Sequence, residues 1–428
     1  MKDAYQIKQV TAREVLDSRG WPTVEAKVVL KGGAQATASV PSGASTGTFE
    51  AWELRDGGQR LQGKGVLKAV SNVNKLIAPK IKGMDARHLQ EIDAAMVALD
   101  GTENKKRLGA NALLAVSLAC AHAGAKQAEL PLYRHLRAVY GIKGKTFSFP
   151  RPMMNIVNGG QHANNTLSIQ EFMVVPEGKT MAERVWRGVE VFQSLKKILA
   201  GEGFLTLVGD EGGFAPQVKD NEAALQYIIK AIEAAGFVPG KDVSLASDLA
   251  TSEFYTEKKG YDFDYKIPDR KGRKFLSPRE VTEMLKNWIK KYHLISIEDP
   301  LNEESWDDWA SLTKSLGKQV QIVGDDLFVT NVKRLQKGID MGVANAILIK
   351  VNQIGTLSET MAAIMLARAH GYHVIISHRS GETGDTTIAD LAVAVNAEFI
   401  KTGSLSRSER VEKYNRLMAI EQELHGKW

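Results

Sequence analysis

The first 140 residues alternate apolar and polar positions and then change to a helical period. Residues 23–30, TVEAKVVL, have the two-residue period of a half-buried strand, and residues 33–40, GAQATASV, are a suitable hairpin partner. Three segments with apolar residues at helical spacing follow, and they are 65–81, 87–100 and 111–127. Strands followed by helices predict a small α+β domain over residues 1–140. The stretch 140–152, which contains Gly and Pro, is the predicted linker.

Beyond residue 150, short apolar runs recur at intervals that suit strands covered by helices. The eight runs are MMNIVN, QEFMVVP, VSLASD, LISIED, QIVGDD, AILIK, HVIISH and EFIK. Most of the later gaps hold an amphipathic segment of helix length, and this alternation predicts a parallel sheet with helices on it. Eight strands within residues 141–428 predict a (β/α)8 barrel, although the first two strands lack a helix between them. A doubly wound open sheet is the alternative, but it should have a Gly-rich first turn, which this sequence lacks.

Ionisable residues stand at the ends of six of these runs. They are Asp248, Glu298, Asp325, Lys350, His378 and Lys401, at successive spacings of 50, 27, 25, 28 and 23 residues. One charged residue after a strand is usually a loop contact or a helix cap. Six in succession favour one shared site, because the C-terminal ends of barrel strands meet at the mouth that holds the active site in such folds.

Three of the six residues are carboxylates from consecutive strands, namely Asp248, Glu298 and Asp325. Carboxylate oxygens are hard ligands that suit Mg²⁺, and an acid cluster paired with nearby lysines is the alternative. Lys350 and Lys401 are predicted to point into the same mouth. We expect neighbouring positive charge to lower a lysine pKa toward neutrality, as a general base requires. A structural lysine is the alternative for either one.

Further candidate residues lie in segments that would border this mouth. Glu211 lies in the Gly-rich turn VGDEGG, Glu171 lies at the start of a strand, and the loop VNGGQHANN carries His162. Ser42 lies in SVPSGASTG, residues 39–47, where glycines and hydroxyls suit a mobile lid. We expect this segment and the loop that carries His162 to close over the site and exclude water.

Composition and charge favour a folded protein that acts on a small anion. The 428 residues are 43% hydrophobic and 25% charged, which suits two domains. The net charge of +6 is spread along the chain, and its short basic patches lack interleaved aromatics, so we expect a small anionic substrate and no nucleic acid. The single cysteine, Cys120, excludes an internal disulfide. With no apolar h-region at the start and no apolar run of membrane length, we expect a cytoplasmic protein.

Ten ordered segments, together with AREVLDSRG near residue 12, resemble those of the enolase family through to the C-terminal region. They are SGASTG, LGANALLAVSLA, MNIVNGGQHANN, QEFMVVP, VGDEGGFAP, SIEDPL, QIVGDDLFVTN, LIKVNQIGTLSE, SHRSGET and IKTGSLSRSERVEKYN. The resemblance implies an N-terminal capping domain followed by an enolase-type barrel with a non-standard ββαα opening. It implies phosphopyruvate hydratase activity in glycolysis and gluconeogenesis, which is the reversible dehydration of 2-phosphoglycerate to phosphoenolpyruvate, with two Mg²⁺ per active site.

The resemblance also implies a role for each matching residue. The catalytic residues implied are Lys350, Glu211, Glu171 and His162. The metal ligands implied are Asp248, Glu298 and Asp325 for the first Mg²⁺, with Ser42 helping to hold the second. The substrate-binding residues implied are Gln170, Arg379, Ser380, Lys401, His378 and Ser42. Lys350 would remove the C2 proton and Glu211 would protonate the departing C3 hydroxyl, which asks for a raised pKa at Glu211.

Assembly and secondary roles are implied only by the resemblance. It implies a homodimer or an octamer built from dimers, and it leaves room for secondary surface or scaffold partners and a secondary cell-surface or secreted pool. Two positions depart from the family pattern: Trp21 replaces the usual Asn in a segment near the family's subunit contact, and Gly384 replaces the usual Glu. Neither position bears assigned chemistry.

Two other function classes remain open at this point. A non-enzymatic scaffold on the same fold should have lost a base or a metal ligand, yet Lys350, Glu211 and the three carboxylates are all present. Another proton-abstracting member of the superfamily would act on a non-phosphorylated acid. The segments SHRSGET and SGASTG, which would grip a phosphate, argue against it.

Overall fold

The computed structural model describes residues 3–43, 47–144, 146–267, 272 and 274–426. The predicted lid at residues 39–47 therefore falls partly outside the described residues, because 44–46 are not among them. Within the described ranges, no helix combines the length and the apolar composition that crossing a membrane requires.

The N-terminal part of the chain is a three-stranded antiparallel sheet packed against helices. Its strands, in the order β1–β2–β3, are β1 (Ile7–Leu16), β2 (Pro22–Leu30) and β3 (Gln35–Ser39). Its helices are α1 (Leu67–Asn72), α2 (Ala78–Ile81), α3 (Leu89–Asp100), α4 (Ala110–Gln127) and α5 (Leu132–Val139), with a π turn at Val73–Ile77 and a 3₁₀ turn at Arg60–Gly63. Helix α4 packs on β2 and β3 and is rich in Ala, so its backbone lies close to the sheet. Cys120 is buried within α4.

The rest of the chain forms a closed eight-stranded barrel. Its strands are β4 (Arg151–Asn158), β5 (Glu171–Pro176), β6 (Val243–Asp248), β9 (Leu294–Glu298), β10 (Gln321–Gly324), β11 (Ala346–Ile349), β12 (His373–Ser377) and β13 (Phe399–Lys401). All eight apolar runs of the sequence form these strands, so the predicted barrel is confirmed and the open sheet is excluded. Between β6 and β9 lies a short hairpin, β7 (Tyr255–Thr256) and β8 (Gly260–Tyr261).

One strand departs from the predicted parallel arrangement. Strand β5 pairs antiparallel with both β4 and β6, whereas the other barrel pairs are parallel. The connection from β4 to β5 holds a 3₁₀ turn at Gly160–His162 and no covering helix. A parallel return usually runs back through a helix, whereas a connection without one can join antiparallel neighbours. The two helices α6 and α7 then follow β5 in succession, which gives the ββαα opening.

Helices follow the strands and cover the outside of the barrel. They are α6 (Met181–Gly201), α7 (Asn221–Ala234), α8 (Pro278–Tyr292), α9 (Trp306–Leu316), α10 (Val332–Met341), α11 (Val351–Ile354), α12 (Leu357–Ala369), α13 (Thr387–Ala394) and α14 (Ser408–His425), with a further 3₁₀ turn at Thr251–Phe254. The barrel interior is filled by a separate cluster of buried apolar side chains, including Met153, Met173 and Phe399. A packed interior leaves the C-terminal mouth as the place for polar chemistry. The division of the chain at residue 140 stays a prediction.

Candidate active site

The register of three adjacent strands sets a row of acids across the barrel mouth. Glu171 on β5 is paired with Asp248 on β6, and Asp248 is paired with Glu298 on β9. All three are buried. Because side chains in register on neighbouring strands share a face, the three carboxylates converge. Burial of several like charges is costly unless a positive charge lies among them.

Lys401, at the end of β13, supplies that positive charge. Its Nζ lies 3.1 Å from Glu171 Oε2, 3.1 Å from Asp248 Oδ2 and 2.9 Å from each oxygen of Glu298. Burial opposes the charged ammonium, but the three acids outweigh it and raise the pKa of Lys401 well above its ordinary value. The pKa of Glu298 is raised well above its ordinary value by burial and by Asp248. Burial therefore disfavours the ionised form of Glu298 even with the Lys401 ammonium beside it.

Lys350 makes the equivalent contact on the other side of the mouth. It follows β11 directly, precedes α11, and pairs with Asp325 Oδ2. Asp325 also accepts a hydrogen bond from Gln353 Nε2 at 2.8 Å. Burial disfavours the lysine charge, but Asp325 outweighs burial and raises the pKa of Lys350. The expectation that neighbouring charge lowers the lysine pKa is therefore wrong for the ligand-free protein, because its nearest charged neighbour is an acid.

Glu171 and Glu211 form an acid pair that faces the lysines, and two histidines lie beside this pair. His162 Nδ1 lies 3.6 Å from an oxygen of Glu171 and 3.6 Å from an oxygen of Glu211. His378 Nε2 lies 3.4 Å from Glu211 Oε1, and Asn155 donates to Glu211 Oε2 at 2.8 Å. The four ionisable side chains are buried, and the pKa of His162 is lowered by that burial.

The pKa values of Glu171 and Glu211 are shifted in opposite directions in the ligand-free protein. Burial and the neighbouring Glu211 raise the pKa of Glu171 well above its ordinary value. Burial acts in the same sense on Glu211, but His162 and His378 outweigh it and hold the pKa of Glu211 well below its ordinary value. The raised pKa expected at Glu211 is therefore found at its partner, because His378 lies beside Glu211, whereas His162 is equally close to both glutamates.

Arg379 is held in place by the N-terminal part of the chain. Its guanidinium contacts the two oxygens of Glu50 at 3.0 and 3.1 Å and donates to Asn352 Oδ1 at 2.8 Å. Glu50 raises the pKa of Arg379 against the effect of burial, so the side chain stays cationic. Ser380 follows it directly, and Gln170 Nε2 lies 3.4 Å from Asp248 Oδ2. A guanidinium held in a fixed position suits recognition of a bulky anion such as a phosphate.

Ten residues line one small enclosed cavity between these groups, with a volume of about 20 Å³. They are His162, Gln170, Glu171, Glu211, Lys350, Ser377, His378, Arg379, Ser380 and Lys401. This set contains every catalytic and substrate-binding residue predicted from the sequence except Ser42, and it adds Ser377. A volume of that size holds about one water molecule, so a larger ligand requires the mouth to open.

Ser42 is the predicted site residue that the structure places differently. It is buried, and its backbone pairs with Gly381 through N–H···O bonds of 2.7 and 2.9 Å. Its hydroxyl donates to Asp17 Oδ2 at 2.6 Å and accepts from Arg19 at 3.2 Å. The hydroxyl is therefore committed to the N-terminal part of the chain, although the backbone next to it adjoins the SHRSG segment.

Comparison with known proteins identifies the family to which this chain belongs. A family model described as "Enolase, N-terminal domain" matches residues 7–136, and one described as "Enolase, C-terminal TIM barrel domain" matches residues 146–427. A protein named "Enolase" from Elusimicrobium minutum (strain Pei191) is 55% identical over 423 residues, which cover 99% of this chain and 97% of that protein. The chain belongs to the enolase family. It is therefore a hydro-lyase of the phosphopyruvate hydratase class, and the resemblance seen in the sequence is confirmed.

The acid groups of this enolase-family site fit a divalent cation. Asp248, Glu298 and Asp325 offer carboxylate oxygens, which are the donors that Mg²⁺ prefers. Burial and the neighbouring Asp248 raise the pKa of Glu298, so a cation bound beside it would favour its ionised form. In the ligand-free protein the two lysine ammoniums contact these same three carboxylates. The carboxylates are therefore stabilised by positive charge at the position where a cation would bind.

Sequence reasoning missed several residues around the enolase-family site. Asp299 and Asp326 each directly follow a predicted ligand, and with Asp325 they bring carboxylate oxygens within 4.8 Å of one another. Asp299 accepts the backbone N–H groups of Asp325 and Asp326, both at 2.9 Å, so it fixes the loop after β10. The doublets in SIEDP and VGDDL were the available signal. Glu50 and Asn155 gave no comparable signal, since their roles depend on contacts distant in sequence.

Proposed function

We propose that this chain catalyses the reversible, Mg²⁺-dependent dehydration of 2-phosphoglycerate to phosphoenolpyruvate and water. The observation that carries the proposal is one cavity in which the buried Lys401 and the partly buried Lys350 face a buried pair of glutamates. An elimination needs a base at one carbon and an acid at the next, and these four side chains can supply both. Family membership supports the same reaction.

The base in this proposal is Lys350. It takes the C2 proton of the substrate on Nζ, and the electron pair of that C–H bond passes into an enediolate. That pair becomes the C2–C3 double bond when the C3–O bond breaks in the following step. A protonated lysine cannot act as a base. Asp325 stabilises the protonated form of Lys350, so this contact must weaken when the cation and the substrate bind. A Mg²⁺ ion held by Asp248, Glu298 and Asp325 would supply the charge that does this and would stabilise the developing enediolate.

The acid is Glu211, which protonates the C3 hydroxyl so that it leaves as water. Burial and Glu211 raise the pKa of Glu171 in the ligand-free protein, so we assign Glu171 as the group that holds a proton for Glu211. His162 Nδ1 lies 3.6 Å from an oxygen of each glutamate. We assign to His162 the passage of that proton between them. Hydroxide is a poor leaving group, so this proton transfer is needed for the bond to break.

The remaining residues bind and orient the substrate. Arg379 and Ser380 are assigned to its phosphate, and Lys401 to its carboxylate once the acids around the ammonium are otherwise neutralised. Gln170 and His378 line the cavity beside the reacting carbons. Ser42 helps to hold a second Mg²⁺ only if its hydroxyl leaves Asp17, which movement of the predicted lid would allow. Removal of water from this cavity strengthens each of these charge interactions.

The assay that tests this proposal follows the absorbance of phosphoenolpyruvate formed from 2-phosphoglycerate. We expect product with Mg²⁺ and none after chelation, with recovery when Mg²⁺ is added back. Exchange of the C2 hydrogen with solvent, measured in parallel, reports the base separately from the acid. A folded chain that forms no phosphoenolpyruvate with Mg²⁺ present would refute the proposal.

Assembly and location are proposed from family membership alone. We infer a homodimer or an octamer of dimers and a cytoplasmic location from family membership. A secondary surface or secreted pool with scaffold partners is a further proposal. Size-exclusion chromatography with light scattering and fractionation of cells answer these points directly.

A further inference from the structure

A fully buried arginine stands behind the acid side of the site. Arg410 lies in the first turn of α14 and has no exposed surface. Its Nη1 lies 2.6 Å from His378 Nδ1 and donates to the Arg379 carbonyl at 2.6 Å, while its Nη2 donates to the carbonyls of Asp210 and Ser380 at 3.1 and 2.5 Å. The four N–H bonds of the two amino groups thus have four acceptors, none of which is a carboxylate.

The contact with His378 determines which imidazole nitrogen carries the proton. A guanidinium has donors only and stays protonated, so His378 Nδ1 must be the acceptor in this pair. Burial and the Arg410 charge, opposed by Glu211, leave the pKa of His378 lowered to about 4, so the ring is neutral at neutral pH. A neutral imidazole with an accepting Nδ1 carries its hydrogen on Nε2. That nitrogen faces Glu211 Oε1 at 3.4 Å and has no other hydrogen-bond partner among the described residues.

The same guanidinium ties two segments of the site together. The Asp210 carbonyl belongs to the turn that carries Glu211, and the Arg379 and Ser380 carbonyls belong to the segment assigned to the phosphate. Gly403 lies against it with φ +82°, and a Cβ there would stand 2.7 Å from Arg410 Cδ and 2.9 Å from the Glu211 carbonyl oxygen. Glycine is therefore required at position 403, because a side chain there would collide with Arg410 and because the positive φ favours glycine.

We propose that Arg410 is a positioning residue: it fixes the His378 tautomer that aims Nε2–H at Glu211, and it holds the acid's turn against the phosphate-binding segment. This inference rests on the proposed function for its kinetic consequence. Its structural consequence, the Nε2–H tautomer of His378, holds in the ligand-free protein without reference to any reaction.

The first experiment measures that tautomer by NMR of protein labelled with ¹⁵N in histidine. The His378 ring signals are assigned by their loss in His378→Gln. We expect the wild-type ring to be neutral with its hydrogen on Nε2, and Arg410→Met to lose this signature by gaining hydrogen at Nδ1. Arg410→Lys retains the charge with one donor centre and should lie between the two. Retention of the wild-type signature in both Arg410 variants overturns the proposal.

A matched control comes from the same helix. Arg416 also lies on α14 and is paired with Asp390 at 2.7 Å, far along the helix from the Arg410 contacts. Arg416→Lys should leave the His378 signals and the turnover unchanged. If Arg416→Lys shifts the His378 signals as much as Arg410→Lys, the effect is a general loosening of α14 and the proposal fails. Circular dichroism confirms that each variant compared is folded.

The second experiment separates positioning from structure by kinetics. We expect Arg410→Met to lower dehydration about 10–100-fold, the usual cost of removing a partner that orients a site residue, while C2 exchange persists. In the His378→Gln background the further loss should be much smaller, because contacts in one network do not add. Losses that multiply fully would overturn the assigned route through His378. If the wild type itself forms no phosphoenolpyruvate, the proposed function fails while the NMR result still decides the tautomer.

Discussion

Removal of Lys401 tests whether the acids at the barrel mouth need a positive charge. Lys401→Met keeps an unbranched side chain of comparable length but deletes the ammonium that contacts Glu171, Asp248 and Glu298 at 2.9–3.1 Å. Removing one partner of a buried ion pair costs about 3–5 kcal/mol. At about 2.1 cal/mol/K per residue, unfolding of the 428 residues has an entropy of ~0.9 kcal/mol/K. The loss therefore corresponds to about 3–6 °C in Tm.

The assay is differential scanning calorimetry of the chelated protein, with Lys314→Met as the control. Lys314 is an exposed lysine on α9 whose removal should change Tm little. Mg²⁺ should restore most of the lost Tm in Lys401→Met, because a ligand at 100 times its Kd stabilises by about 2.7 kcal/mol. A chelated Lys401→Met protein as stable as the wild type would refute the argument, since the acids would then have no need of a cation.

The remaining predictions concern the chemical roles. Lys350→Ala should stop exchange of the C2 hydrogen at a cost of about 10²–10⁴-fold, and retained exchange in the folded variant would contradict its role as base. Glu211→Gln should stop dehydration yet permit C2 exchange, so the loss of both together would refute the split of roles. Glu50→Gln should raise KM for the phosphorylated substrate more than it lowers kcat, because it removes the carboxylate that holds the Arg379 guanidinium in place. An unchanged KM would show that the Glu50 contact is dispensable.

Most of the barrel could be predicted because its strands are buried on both faces. Runs such as VSLASD and LISIED carry apolar or small residues on both faces before their acidic ends, as a strand covered on both faces does, and their spacing fixes the number of units. The direction of β5 could not be obtained this way, because QEFMVVP has the same pattern whichever way it runs. The signal for its reversal is the absence of a helix before it.

The site residues could be located from the strand ends because six ionisable side chains in succession have no other common explanation. The contacts that hold them could not be located, since they join distant segments. Asp17, for example, accepts the backbone N–H of Trp21 at 2.9 Å and the hydroxyl of Ser42. The turn uses the backbone of residue 21 rather than its side chain, which explains why Trp can stand there in place of Asn.

Charge states were the part of the site that sequence reasoning predicted wrongly, and the physical reason concerns the ligand-free state. Lys350 was expected to sit near positive charge, and Glu211 was expected to hold a proton. In the structure acids lie against each lysine and raise the lysine pKa, and the raised carboxyl pKa is found at Glu171 rather than at Glu211. The reactive charge states therefore cannot be a fixed property of the chain. In the proposed mechanism they are produced when cation and substrate take over the partners of Lys350 and Lys401, so that binding and activation of the base are one event.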